Sequence, residues 1–161
     1  MPKIKPTTGE NEERERVSLV ENKYLKLGFT FLNRPEIDMP RMPEEMTNLS
    51  ANELGNYMST YSAWREYTED LLMSANLEVI AFEEEYRLQL KKDWITTAKR
   101  SGQTVKDKEK EIDVSEDIVY LRDKFVDAEM YRDMLASKFE SINNAITVLS
   151  REITRRLGNR P

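Results

Sequence analysis

Apolar residues recur at alternating intervals of three and four between residues 118 and 153. They are Ile118, Leu121, Phe125, Ala128, Leu135, Phe139, Ile142, Ile146, Leu149 and Ile153, with only the charged Arg132 breaking the series. A strand alternates with a period of two, so this spacing fits an α-helix with a narrow buried seam, the pattern of coiled-coil packing. Leu157 and Gly158 close the run, glycine being a favoured helix stop. A second run precedes it. Leu54, Tyr57, Tyr61, Trp64, Leu71, Ala75, Val79, Phe82, Tyr86, Leu90 and Trp94 follow one another mostly in steps of three and four, with no proline from Ser50 to Arg100. Ser50 and Glu53 form a capping box at its start, with Leu49 placed as a hydrophobic staple. Some 50 residues of helix would extend about 75 Å, and Ser101 and Gly102 end it.

Between these runs lies the polar connection QTVKDKEKEID, after which Asp113 or Ser115 can cap the second helix. Two long helices joined this way must run antiparallel if they pack on each other. The fold class expected is mainly α: a long, coiled-coil-like antiparallel helical hairpin over residues 49–158. Charged residues make up 34% of the chain, against about 25% in ordinary proteins, which suits narrow seams better than a large globular core. The apolar surface is nevertheless wider than one seam. Val119, Val126, Met130, Tyr131, Met134, Ala145 and Val148 lie off the stripe of the second helix, and Tyr67, Leu72, Met73, Leu77 and Ile80 off that of the first. A bare hairpin would leave them wet, so packing between subunits of a homo-oligomer is expected. The alternative is a linker folded back over them.

Ahead of the hairpin, residues 1–16 are polar and charged and read as a disordered tail. Residues 17–48 read as an extended arm and linker. Within it Leu25, Leu27, Phe29 and Phe31 alternate with polar residues and glycine, the period of a short strand. No other strand exists for it to join, so the segment would contact a neighbouring subunit or partner, or else cover an exposed helix face. Pro35, Pro40 and Pro43 exclude regular helix, and Met39, Met42 and Met46 are suited to fill gaps against a neighbouring helix.

The chain has no cysteine and no histidine, which removes disulfides, thiolate chemistry and the commonest general base and metal ligand. No phosphate loop, metal-spaced cluster or nucleophile motif is present. The acidic run Glu83–Tyr86, EEEY, points in several directions round a helix and reads as a solvated face. No enzyme activity, metal or cofactor is expected. Nor is a membrane span or signal segment, so the expectation is a soluble intracellular protein.

Basic charge is unevenly placed. Lys91, Lys92, Lys99, Arg100, Lys106, Lys108 and Lys110 give residues 90–110 a net charge of +4, while Arg151, Arg155, Arg156 and Arg160 give residues 150–160 +3; the whole chain carries −5. Basic ends with an acidic middle form a plausible footprint for a phosphate backbone, beside which Trp94 and Tyr86 offer stacking faces for unpaired bases. Both basic stretches also lie at helix C-termini, where cations complement the helix dipole. Trp94 equally continues the apolar stripe, and Arg132 either fixes register or extends to solvent.

Two segments, LSANELGNYMSTYSAWREYTEDLL (49–72) and IVYLRDKFVDAEMYRDMLASKFESINNAITVLSREITRR (118–156), separated by a long charged helix and a polar break, resemble small tailed-phage proteins. These look like distant relatives of the UvsY-type recombination mediator. The likeness covers roughly residues 40–157 and rests on YSAW in the first helix, the basic break and the LSREITRR ending. It implies a ring-forming mediator that binds single-stranded DNA in the host cell cytoplasm. Such a mediator helps a strand-exchange recombinase displace the single-strand-binding protein during DNA recombination and repair. On that resemblance Lys91, Lys92, Lys99 and Arg100 would contact phosphate, whereas Tyr61 and Trp64 would pack the helices. The arm here is longer and the chain more acidic than the pattern. The rival expectation is a structural virion or assembly protein, a scaffold or ring built from the same hairpins.

Overall fold

Residues 8–98, 102 and 104–158 are described in this computed structural model, with side-chain surroundings described from residue 17 onward in those ranges except at residue 98. Helices α1 (Thr8–Lys26), α2 (Ala51–Ala98), α3 (Val105–Asp113) and α4 (Glu116–Gly158) form among them, with a 3-10 turn at Met46–Asn48 and no strand. The long helices α2 and α4 pack against each other. The chain divides into two units, one holding α1, α3, the second half of α2 and the first half of α4, the other holding the arm from Phe31 onward, the first half of α2 and the second half of α4. Within each unit, α2 and α4 therefore run antiparallel, as the two seams require.

In the second unit α2 begins where its local sequence dictates. The Glu53 amide donates to Ser50 Oγ at 3.2 Å, and the Ser50 amide donates to Glu53 Oε2 at 2.7 Å, so the box closes in both directions. Hydrogen bonding to its carboxylate from Ser50, side chain first and backbone amide second, holds the Glu53 carboxyl below the usual range. One turn on, Leu54 joins Tyr61, Ile142, Ala145 and Leu149 in the core, with Leu49, Met39, Met42 and Met46 packed against it. Ala145, which the strict stripe leaves outside, is buried: an ideal helix drifts against a 3.5-residue repeat, so the seam passes through 142, 145 and 149.

The arm is tied to α2 within this unit. Tyr61 Oη donates to the Pro40 carbonyl at 2.7 Å, Trp64 Nε1 to the Ile37 carbonyl at 2.8 Å, and the Leu32 amide to Asp70 at 2.7 Å. The Arg34 guanidinium lies 5.6 Å from the Trp64 ring. Burial pushes the Tyr61 hydroxyl pKa up. The YSAW string thus holds down a proline-rich segment that cannot make a ladder of its own hydrogen bonds.

In the first unit Ala75, Val79, Ile112, Ile118, Leu121 and Ala128 are buried. The Tyr86 and Phe125 rings stack across the seam with centroids 6.4 Å apart. Lys124 Nζ sits over both Phe82 and Tyr120, at 5.5 and 4.7 Å. Ser115 rather than Asp113 caps α4, its Oγ accepting from the Ile118 amide at 3.4 Å. At the broken seam position, Arg132 lies 3.7 Å from Glu129 one turn back.

Three expectations are corrected. The segment 25–31 is not a strand: Leu25 lies in the last turn of α1, and Gly28 at φ +90° reverses the chain. The Leu27 amide reaches back to the Lys23 and Tyr24 carbonyls at 3.2 Å, the Gly28 amide reaches Leu25 at 3.0 Å, and Phe29 stacks on Tyr24 at 5.0 Å. A glycine helix stop between alternating apolar residues mimics period two. Second, helix α1 starts at Thr8, inside the stretch read as a disordered tail. Third, the polar connection contains helix α3, whose N-cap Thr104 accepts from the Asp107 amide.

Candidate nucleic-acid interface

The basic end of α2 owes its form to a change in what the seam carries. From Ala75 through Val79, Phe82 and Tyr86 to Leu90 the inward residues are apolar; beyond that they become Asp93 and Thr97, the last buried. Asp93 accepts from Gln89 at 2.9 Å and from the Ser115 hydroxyl at 3.5 Å, which draws it toward the start of α4. Trp94, one step round the helix, is therefore turned out and is 37% exposed. Tyr86 remains half-buried against Phe125, so it is a packing residue rather than an open stacking face.

Lys91 and Lys92 are exposed on the last turns of α2, and Lys106 and Lys110 on α3, with Lys108 half-buried. Two of the acids interleaved with them are engaged locally, while Glu109 stands exposed. Besides Asp93, Asp107 is engaged at the α3 N-terminus, its carboxylate accepting from the Thr104 hydroxyl at 2.6 Å while its amide donates to the same oxygen at 3.3 Å. Lys99 and Arg100 lie outside the described residues. Gly102 adopts φ +97° in the turn beyond α2, a conformation that favours glycine.

The surface is not basic throughout. Asp93, Thr96, Thr97, Glu111, Ile112, Ser115, Glu116 and Asp117 line a cleft of about 430 Å³ beside these lysines. Four carboxylates stand in its described lining, which makes it a poor place for phosphate. A strand would have to pass over the outer lysines. Sequence order hid this division, because Asp93 and Glu116 are far apart along the chain. Among the described residues, no group of three or more acidic side chains is arranged to hold a metal ion.

The second basic stretch is largely consumed by structure. Glu152 receives Arg155 Nη2 and Nε at 2.7 and 2.8 Å and Arg156 Nε at 2.7 Å. These bonds, that of Arg155 foremost, pull the Glu152 carboxyl down to about 2, and the same carboxylate raises the pKa of Arg155. Arg156 then donates to the Leu49 carbonyl at 2.6 Å, the Met46 carbonyl at 2.9 Å and the Thr47 carbonyl at 3.3 Å. It fastens the entry of α2 to the end of α4 and is withdrawn from any phosphate. Of the three described arginines of this stretch, Arg151 is exposed without one of these bonds; Arg160 lies outside the described residues.

Of the four apolar arm residues expected to meet a neighbour, Leu25, Leu27 and Phe29 are exposed and Phe31 is half-buried. Comparison of the chain with known protein families, curated proteins and solved structures finds no match. Among the described residues, no helix is long and apolar enough to cross a membrane.

Proposed function

We propose that this chain binds single-stranded DNA along the outer lysines of α2 and α3 and acts as a recombination mediator of the UvsY type. In that role it assists loading of a strand-exchange recombinase against the single-strand-binding protein. One observation carries the reading. Lys91 and Lys92 stand exposed on α2 with Trp94 partly exposed on the same turn, Lys106 and Lys110 stand exposed on α3, and Asp93 and Asp107 are held in local hydrogen bonds. Cations track a phosphate backbone and an open indole stacks on an unpaired base, a combination that tolerates any sequence. The work would be positioning, without a covalent step. Arg155 and Arg156 are left out of the interface.

The test is fluorescence anisotropy of a labelled single-stranded oligonucleotide titrated with wild-type protein and with Lys91→Glu/Lys92→Glu. The reading expects binding by the wild type and its loss in the variant at unchanged helicity. Equal binding by both would remove these lysines from the interface.

A second reading, a structural virion or assembly protein, is favoured by the exposed apolar side chains on α4, with Met130 and Met134 61% and 71% exposed. On that reading the charge reversal is silent, whereas removing residues 17–35 disrupts assembly.

A further inference from the structure

The outward face of α2 carries a second stripe that the seam does not use. Ile80, Glu84, Leu88, Lys91 and Ile95 each fall two residues before the inward positions 82, 86, 90, 93 and 97. At about 100° per residue, that offset places them on the opposite side of the helix. Ile80, Leu88 and Ile95 are 58%, 45% and 60% exposed, and Glu84 and Lys91 are exposed between them. Three large aliphatic side chains at intervals of eight and seven make a line of contacts, which isolated surface leucines do not.

The charges along this stripe identify what fits it. Glu84 stands in its first half and Lys91 in its second, whereas Glu83 is bound to Arg87 on the flank and Glu85 is half-buried. The pattern is close to self-complementary about a point between Arg87 and Leu88. Reversed end to end, Ile80 falls opposite Ile95, Glu84 opposite Lys91, and Leu88 beside its own copy. A parallel pairing would instead set acid against acid and lysine against lysine. Arg87, which lies on the flank, is bound to Glu83 at 2.6 Å within its own helix, and its stem can cover Leu88.

We infer that a second copy of this chain docks on the outward face of α2 between Ile80 and Ile95, antiparallel and related by a two-fold axis near Leu88. Such an isologous contact uses each feature twice: two Ile80–Ile95 pairs, two Glu84–Lys91 pairs and one central leucine pair. The inference stands apart from the nucleic-acid reading, although both draw on Lys91. A chain whose lysines are engaged by a strand would have to leave this dimer.

The absence of native cysteine allows a background-free test by single-cysteine cross-linking. Leu88→Cys is expected to form a disulfide with its own copy under mild oxidation. Ile80→Cys and Ile95→Cys are each expected to fail alone, because like positions then lie about 22 Å apart along the helix, and to cross-link when mixed. Self-cross-linking by all three would mean a parallel pairing, and none by Leu88→Cys would mean no contact at this face; either overturns the inference. Sedimentation without nucleic acid provides the second measurement. Leu88→Asp, a substitution at an exposed position, is expected to weaken self-association about tenfold or more at unchanged circular dichroism. Association that survives it would place the contact elsewhere. Wild-type protein that dimerises as described but binds no strand would count against the nucleic-acid reading alone.

Discussion

Arg156 reads from sequence as a phosphate ligand and from the structure as a clasp, and truncating it to alanine separates the two roles. Its guanidinium donates to the carbonyls of Leu49 and Met46 at 2.6 and 2.9 Å and to Glu152 at 2.7 Å, with the side chain 26% exposed. A hydrogen bond involving a charged group contributes about 1.5–3 kcal/mol. Two carbonyl bonds give roughly 3–6 kcal/mol before water replaces part of them at this partly open site, and about 2–3 kcal/mol is left as the expected cost. For a chain of 161 residues each kcal/mol shifts Tm by about 2–4 °C, so Arg156→Ala is expected to melt roughly 5–10 °C early by far-UV circular dichroism. Arg156→Lys is expected to recover less than half, since a single ammonium cannot span Leu49, Met46 and Glu152 at once. Below the melt, Arg156→Ala is expected to bind single-stranded DNA as the wild type does. A Tm within about 1 °C of wild type would refute the clasp. Normal stability with weakened DNA binding would return Arg156 to the interface.

Two further outcomes follow from the same geometry. Glu152 titrates at about 2 in the folded chain against an ordinary value of 4.5, so its contribution is fully present above pH 4.5 and is lost as pH falls toward 2. Glu53 is shifted in the same direction. Acid titration of Tm should therefore show a steep limb below pH 4.5, which Glu152→Gln makes shallower. Gly28→Ala places a side chain at φ +90°, a strain of about 1–2 kcal/mol. It should loosen the end of α1, with faster amide exchange at positions 27 and 28 and little change in the melting of α2 and α4.

Where structure was legible in sequence, the determining contacts were local or strictly periodic. The capping box of Ser50 and Glu53 fixes the start of α2 because both partners lie within one turn, and the 3-4 spacing from Ile118 to Ile153 fixes the buried side of α4. Helix α3 was hidden because its charged composition resembles a linker, although Thr104 and Asp107 carry an N-cap signature and Ile112 supplies its buried contact. The segment around Leu25 misled because Gly28, read as one polar position of an alternation, is a helix stop at positive φ. Trp94 could not be placed from periodicity alone, since the seam passes instead through Asp93 and Thr97, whose partners include Ser115. Arg156 is the extreme case. Its carbonyl partners lie 107 to 110 residues away in the chain, and no local pattern records them.

The central claim is that exposed lysines at the end of α2 hold a phosphate backbone, and the salt dependence of strand binding tests it most directly. For single strands the slope of log affinity against log salt is about −0.7 per phosphate neutralised. The wild type should bind an unstructured oligonucleotide with a clearly negative slope, and Lys91→Gln/Lys92→Gln should make that slope shallower by about 1.4. An unchanged slope in the variant, or no binding by the wild type at low salt, would contradict the account.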